Sequence, residues 1–457
     1  MKRLLLLLWV ILLATGVSAK KPSWKYRISL TDKAVTSYSL EQPEAFLSPK
    51  AIERRVKQGL PIDSTDLPVC QQYIDEICRF GVKVVAVGKW DNFVTVSCPD
   101  TTCIISISQL PFVRATECVW TGEEIETGKR EKIIDMEGET SPQKYGTATT
   151  QIEINNGHLL HEAGFSGQGM TIAVIDAGFH NADRIESMRN IQVLGSRDFV
   201  NPASDIYAEH SHGLSVFSCM AMNQPGIMVG TAPEAAYCLL RSEDNNSEQL
   251  VEQDYWAAAV EFADSVGVDV INTSLGYNVF DDTSKNYTYC QLDGSYSLMS
   301  RQASRIADKG MILVCSAGNT GSGSWKKITV PADAEHVLTV GAINKDRELA
   351  KFSSIGNTAD GRIKPDVVAM GVDAEIMRAN GIIEPGDGTS FASPILCGQV
   401  ACLWQACPTL TAKELISLVR QSADRHDCPD NIYGYGVPDM WKAYKIYQEE
   451  NGNTDAL

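Results

Sequence analysis

The stretch Gly386-Asp387-Gly388-Thr389-Ser390-Phe391-Ala392-Ser393-Pro394 decides how this chain is read. Its two glycines allow a tight loop, because they tolerate backbone angles that a side chain forbids. From Phe391 to Trp404 the residues are apolar or small on nearly every face, and a helix without a polar side is a buried helix. Ser390 is therefore expected at the N-terminus of a helix that enters the core, with its hydroxyl at the helix mouth. Unpaired N–H groups and the positive end of the helix dipole favour negative charge there. That suits a serine that attacks a carbonyl and stabilises the resulting oxyanion. Taken alone, the same stretch reads equally as a serine N-cap followed by a proline in the first turn.

Two further stretches break the tie. Met170-Thr171-Ile172-Ala173-Val174-Ile175-Asp176-Ala177-Gly178 is a short apolar run that ends abruptly in a carboxylate and a glycine. It reads as a buried parallel strand with Asp176 at its carboxyl end, where sites on open α/β sheets gather. In Glu209-His210-Ser211-His212-Gly213-Leu214-Ser215-Val216 a histidine opens a second apolar helix. Aspartate, histidine and serine in this order and in these contexts resemble the subtilisin-like serine proteases, the subtilases. Gly388-Thr389-Ser390-Phe391-Ala392-Ser393-Pro394 resembles that family's Gly-Thr-Ser-Met-Ala-Ser/Thr-Pro signature. Ile175-Asp176-Ala177-Gly178 resembles its Asp-Ser/Thr-Gly, and His212-Gly213 the start of its His-Gly-Thr-His.

The resemblance implies roles for particular residues. Ser390 would be the nucleophile, His212 the general base and Asp176 its orienting carboxylate. Asn319, in Ser316-Ala317-Gly318-Asn319, would donate to the oxyanion together with the backbone N–H of Ser390. Ser274, Leu275 and Gly276, with Ala317 and Gly318, resemble the segments that line the specificity pocket and pair with extended substrate. These walls carry no charge, so uncharged residues are expected on the acyl side of the cut bond. Three departures stand out: Ala177 replaces a hydroxyl residue, Ser215 stands where the family has a second histidine, and Phe391 replaces methionine. None removes an acid, a base or the nucleophile. His210, two residues from His212, is the rival base and is read as a loop residue.

Met1 to Ala19 reads as an export signal: Lys2 and Arg3, a leucine-rich core, then Val17-Ser18-Ala19 as a small-residue cleavage site. No segment reads as a membrane span, and the expected destination is periplasmic or extracellular. Removal of the signal leaves 38 basic against 57 acidic residues, a net of −19, which argues against nucleic acid and anionic membranes as partners. The 457 residues suggest two domains. Residues 20–120 alternate strands and helices as a small α+β unit that resembles a subtilase propeptide, with Trp24 to Leu30 as an edge strand and Phe112 to Val119 as the last strand. Residues 121–150 are polar and charged and read as a linker, the natural place for processing. From 151 to 448 short apolar strands alternate with helices, which predicts an α/β fold: a parallel sheet covered by helices on both faces. Residues 449–457 are a polar tail.

The thirteen cysteines are an odd number, so at least one lacks an intramolecular partner. Cys219, Cys315, Cys397 and Cys402 sit in apolar runs and are expected reduced; Cys407 and Cys428, around a C-terminal helix, are the expected pair. No spacing identifies a metal site, and no cofactor is expected for the chemistry; structural calcium, common among subtilases, has no readable ligand set here. The expected partners are polypeptide substrates and the N-terminal domain itself, as inhibitor and folding aid. Three functions stay open: an exported endopeptidase, a subtilase-fold binding protein with weak or no activity, and an esterase using the same triad.

Overall fold

The computed structural model of the chain describes residues 23–123, 130, 132–133 and 141–452. The expected export signal, residues 1–19, and the end of the tail, residues 453–457, lie outside them. The N-terminal domain runs β1 (Ser23–Leu30), α1 (Pro49–Lys57), α2 (Gln71–Cys78), β2 (Lys83–Gly88), β3 (Phe93–Cys98), α3 (Thr102–Ile107) and β4 (Val113–Gly122). Ser48 starts α1, its hydroxyl accepting from the Ala51 N–H at 3.2 Å, and Pro49 follows where no donor is needed. The antiparallel sheet has the order β2-β3-β1-β4. Trp24 to Leu30 is thus a central strand and not an edge: both of its partners come later in the chain and close on it from either side. β4 also continues beyond Val119, because Thr121 and Gly122 pair with Trp24 and Ser23.

The second domain is built on seven parallel strands: β5 (Thr171–Asp176), β6 (Val193–Asp198), β7 (Ala236–Arg241), β8 (Val270–Thr273), β9 (Ile312–Ser316), β10 (Leu338–Ile343) and β11 (Val367–Met370). Their order is β11-β10-β9-β8-β5-β7-β6, so the sheet grows in opposite directions from β5. The carboxyl ends flanking such a switch point leave a crevice between their loops. The helices used below are α4 (His212–Ala221), α5 (Val251–Val266), α6 (Leu298–Arg305), α7 (Thr389–Ala406), α8 (Ala412–Ser422) and α9 (Met440–Glu450). One apolar core joins a sheet face to residues of α4, α7, α8 and α9, and a second joins the other face to α5 and α6. α7 is buried at every position except Gln405, as its lack of a polar face requires.

The described residues of the stretch from 121 to 150 are more ordered than its composition implies. Beyond the end of β4, the Ser141 N–H donates to the Gly226 carbonyl at 2.7 Å, and Tyr145 is buried with its hydroxyl 3.2 Å from His161 Nδ1. Residues 124–129, 131 and 134–140 lie outside the described part. α9 runs to Glu450 and so takes in the first two residues expected as tail. All thirteen cysteines are unbonded: Cys219, Cys315, Cys397 and Cys402 are buried as expected, whereas Cys407 is buried and Cys428 exposed, and the expected pair is not formed.

The N-terminal domain is seated on α5. Arg27 pairs with Asp254; Arg54, Arg55 and Lys89 converge on Asp264; and the backbone N–H groups of Lys89 and Trp90 donate to the two oxygens of Glu261 at 2.6 and 2.9 Å. Arg54, Arg55 and Asp264 are all nearly or fully shielded from water. Removing one member of such a buried network costs about 3–5 kcal/mol, since the remaining charge is left desolvated and unpaired.

Candidate active site

Asp176 ends β5 with no exposure to solvent. Its Oδ1 accepts from the Ala177 N–H at 2.8 Å and from His212 Nδ1 at 2.8 Å. Its Oδ2 has no hydrogen-bond partner among the described residues. Ala177, lacking a hydroxyl, supplies no donor there, so one oxygen of the carboxylate carries both contacts. His212 opens α4, and the close approach of this helix to β5 depends on glycine. A Cβ on Gly213 would lie 2.4 Å from the Gly178 carbonyl oxygen and 2.9 Å from Asp176 Cβ. Gly178, at φ +145°, similarly lets the following loop pass against His210.

Burial alone would push the His212 imidazole down, but the charge and hydrogen bond of Asp176 override it, and with Glu243 they raise its pKa to about 9. The ion pair therefore contributes fully to stability below the ordinary histidine range, and that contribution is lost as pH rises through about 9. His210 has no such partner; it accepts from the His212 N–H at 3.2 Å through Nδ1, and burial together with the neighbouring His212 lowers its pKa.

Ser390 lies in the first turn of α7 and is 9% exposed. Its hydroxyl donates to the Ser274 carbonyl at 3.4 Å, and the Ser274 hydroxyl returns a 2.8 Å bond to the Ser390 carbonyl. Asn272 locks this junction: it donates to Ser274 Oγ at 3.1 Å and accepts from Ser393 Oγ at 2.8 Å. The Ser390 hydroxyl is thus turned to a backbone carbonyl and makes no hydrogen bond with His212 among the described residues. Asn319 is fixed through its oxygen, which accepts from both the N–H and the hydroxyl of Thr389 at 2.9 Å. A backbone N–H can only donate, so its partner is the carboxamide oxygen and the NH2 end is left for a ligand.

His212, Ser390 and Asn319 line one cavity of about 340 Å³ together with Ser274, Leu275, Gly276 and Gly318. Ala317 does not line it. It follows a strand whose side chains alternate between faces, so Ser316 and Gly318 meet the cavity while Ala317 is fully buried in the core. Phe391 packs beside the imidazole, ring centroids 6.1 Å apart, and so walls one side of it. Ser215, where a second histidine is usual, donates to the Met377 carbonyl at 2.8 Å and ties α4 to the neighbouring hairpin.

The sequence reading missed Glu243. It sits in the loop after β7 and faces the cavity beside His212. Burial, with Asp176 adding to it, raises its pKa to about 8. No local pattern marks it, because its importance arises only when the sheet sets this loop over Asp176. Where it is ionised it holds the His212 cation, so Glu243→Gln is expected to lower the titration midpoint of His212 by about half a pH unit. Histidine NMR across pH 6 to 10 checks this; an unmoved midpoint would show that Asp176 alone sets it.

Residues 167–436 match the family model described as the subtilase family, and residues 25–134 match one described as a peptidase S8 propeptide domain of Bacteroidota. Serine protease AprX of Bacillus subtilis is 28% identical over 314 residues, 62% of this chain and 67% of that protein. Subtilisin NAT of Bacillus subtilis subsp. natto is 28% identical over 267 residues, 58% of this chain and 63% of that protein, so the chain spans less than two thirds of its length. A thermostable alkaline protease of Halalkalibacterium halodurans is 25% identical over 343 residues, 74% of this chain and 84% of that protein.

Proposed function

Because the chain belongs to the subtilase family, we propose that it is an exported serine endopeptidase that hydrolyses peptide bonds through an acyl-enzyme. The observation that carries this reading is the 2.8 Å contact between Asp176 and His212, beside a cavity that His212 shares with the helix-mouth Ser390. Ser390 attacks the peptide carbonyl; neutral His212 takes its proton and returns it to the departing amine; Asp176 holds the imidazole and balances the imidazolium. The oxyanion meets the Asn319 NH2 and the Ser390 N–H. A base with its pKa near 9 works best in alkaline solution, and activity should rise with pH up to that point. The proposed chemistry needs no metal or cofactor.

Export rests on the segment 1–19. Among the described residues no helix is long and apolar enough to cross a membrane. The propeptide match and the ionic seat on α5 support a N-terminal domain that assists folding and blocks the cleft until it is cut away.

The test is labelling with a serine-reactive fluorophosphonate, followed by comparison of peptide and ester substrates. Labelling that Ser390→Ala abolishes, with peptides cleaved, supports the endopeptidase. Labelling with only esters cleaved favours an esterase, and no labelling at all a binding protein. Asn319→Ala is expected to lower kcat by about a hundred- to a thousandfold with little change in KM, since its donor acts on charge that develops in the transition state. An equal loss in KM would assign Asn319 to ground-state binding instead.

A further inference from the structure

A pair of carboxylates stands in the loops after β5 and β6. Asp183 and Asp205 grip the guanidinium of Arg130: Nη1 lies 2.9 and 3.0 Å from the two oxygens of Asp183, and Nη2 contacts Asp205. The Arg130 side chain is only 17% exposed. Three residues on, Ile133 packs against the core that includes Ile185 and Ile206. Both loops belong to the catalytic face. Phe179, His180 and Asn181 donate through their N–H groups to the carbonyls of Ile206, His210 and Tyr207, so the two loops are bonded to each other and to His210.

The described residues ahead of the clamp border the histidine turn. Gly122 and Glu123 line a cavity of about 1090 Å³ that also takes in His210 and Ser211, and Thr121 is held by Gln249. Arg130 therefore lies C-terminal to residues that border the histidine turn. A substrate entering in the same direction would present to the clamp a residue on the leaving-group side of its cut bond.

We propose that Asp183 and Asp205 form a substrate subsite for a cationic side chain, arginine above all, and that Arg130 fills it in the uncut chain. This rests on the endopeptidase reading. A planar guanidinium suits the site because it meets two carboxylates at once in a fork, which a lysine ammonium does not reproduce. The acyl-side pocket around Leu275 and Gly276 is uncharged, so the clamp would set a second and separate preference. A cut on the N-terminal side of Arg130 leaves it tethered to the second domain through Ile133 and Ser141, so the clamp opens to substrate only when Arg130 leaves it.

Two measurements test this. In the first, the processed protein carrying Arg130→Ala is given peptides that carry arginine or alanine at each position flanking one cut bond. Arginine at a single leaving-group-side position is expected to raise kcat/KM about tenfold, as suits a charge-assisted bond at a partly exposed site. In the Asp183→Asn/Asp205→Asn variant the ratio of arginine to alanine peptide should fall to about one. No arginine preference on that side, or one that survives the substitutions, overturns the proposal. The second measurement needs no turnover. A fluorescent peptide with the sequence of residues 123–134, and its counterpart with alanine in place of arginine, are titrated into the full chain carrying Arg130→Ala and Ser390→Ala. The arginine peptide is expected to bind about tenfold more tightly, and the double Asp→Asn change to remove the difference. Equal or undetectable binding of the two peptides overturns the subsite. Discrimination without any peptide cleavage by the Ser390 protein upholds the subsite and overturns the endopeptidase reading.

Discussion

Replacing Ser390 by alanine is expected to lower peptide turnover by about a millionfold, the loss that follows when a nucleophile held in a triad is removed outright. No neighbour can take its place. The Ser393 hydroxyl is committed to Asn272 in the core, and the Thr389 hydroxyl donates to Asn319 and accepts from the Gly318 N–H at 3.2 Å. The fold should hardly notice, because the hydroxyl's one hydrogen bond, to Ser274, is long at 3.4 Å. A change in stability within about 0.5 kcal/mol is expected, so a melting curve beside the rate separates lost chemistry from lost structure. The uncut chain should accumulate as well if the protein processes itself. Residual turnover above about one per cent, in a preparation free of other proteases, would mean that the nucleophile lies elsewhere.

Asp176→Asn should cost about ten thousandfold in turnover. The shape of the site survives, since the Ala177 N–H can still donate to the amide oxygen. The negative charge does not survive, and it is this charge that raises the pKa of a half-buried imidazole to about 9. Without it burial dominates and the midpoint of His212 falls, so the slow residual activity should begin at lower pH than in the parent. A rate loss with the pH profile unmoved would show that Asp176 orients the ring without setting its charge. The companion pair decides between the two histidines: His212→Ala should match the aspartate variant or exceed it, while His210→Ala, which leaves the Asp176 contact intact, should retain most activity.

The residues of the proposed site were legible because each marks the end or start of a buried element. Asp176 closes an apolar strand, His212 and Ser390 open apolar helices, and the apolar periodicity around them gave the parallel sheet with helices on both faces. What escaped had no local signature. Ala317 does not share the placement of its segment, because the period of two in the preceding strand sends it to the opposite side from Ser316 and Gly318. β1 looked like an edge because a strand's neighbours cannot be read from its own alternation. Glu243 and the Asp183–Asp205 clamp lie in loops whose meaning comes from what the sheet brings over them, and Arg130 belonged to a stretch read only as polar linker.

The face that α5 turns to the N-terminal domain has a consequence for how silence ends. Asp254, Glu261 and Asp264 recur at helical spacing along one side, and Arg27, Arg54, Arg55 and Lys89 come to that side from the other domain. Once the linker is severed, the two halves become diffusing bodies with facing patches of opposite sign. Such patches raise encounter rates by about ten- to a thousandfold, and the gain falls steeply with added salt. A severed N-terminal domain would therefore be recaptured, by its own former partner or by another molecule, for as long as it stays intact. The onset of activity should then follow the destruction of free domain more closely than the first cut, with a lag that lengthens as protein concentration rises and shortens as salt is added.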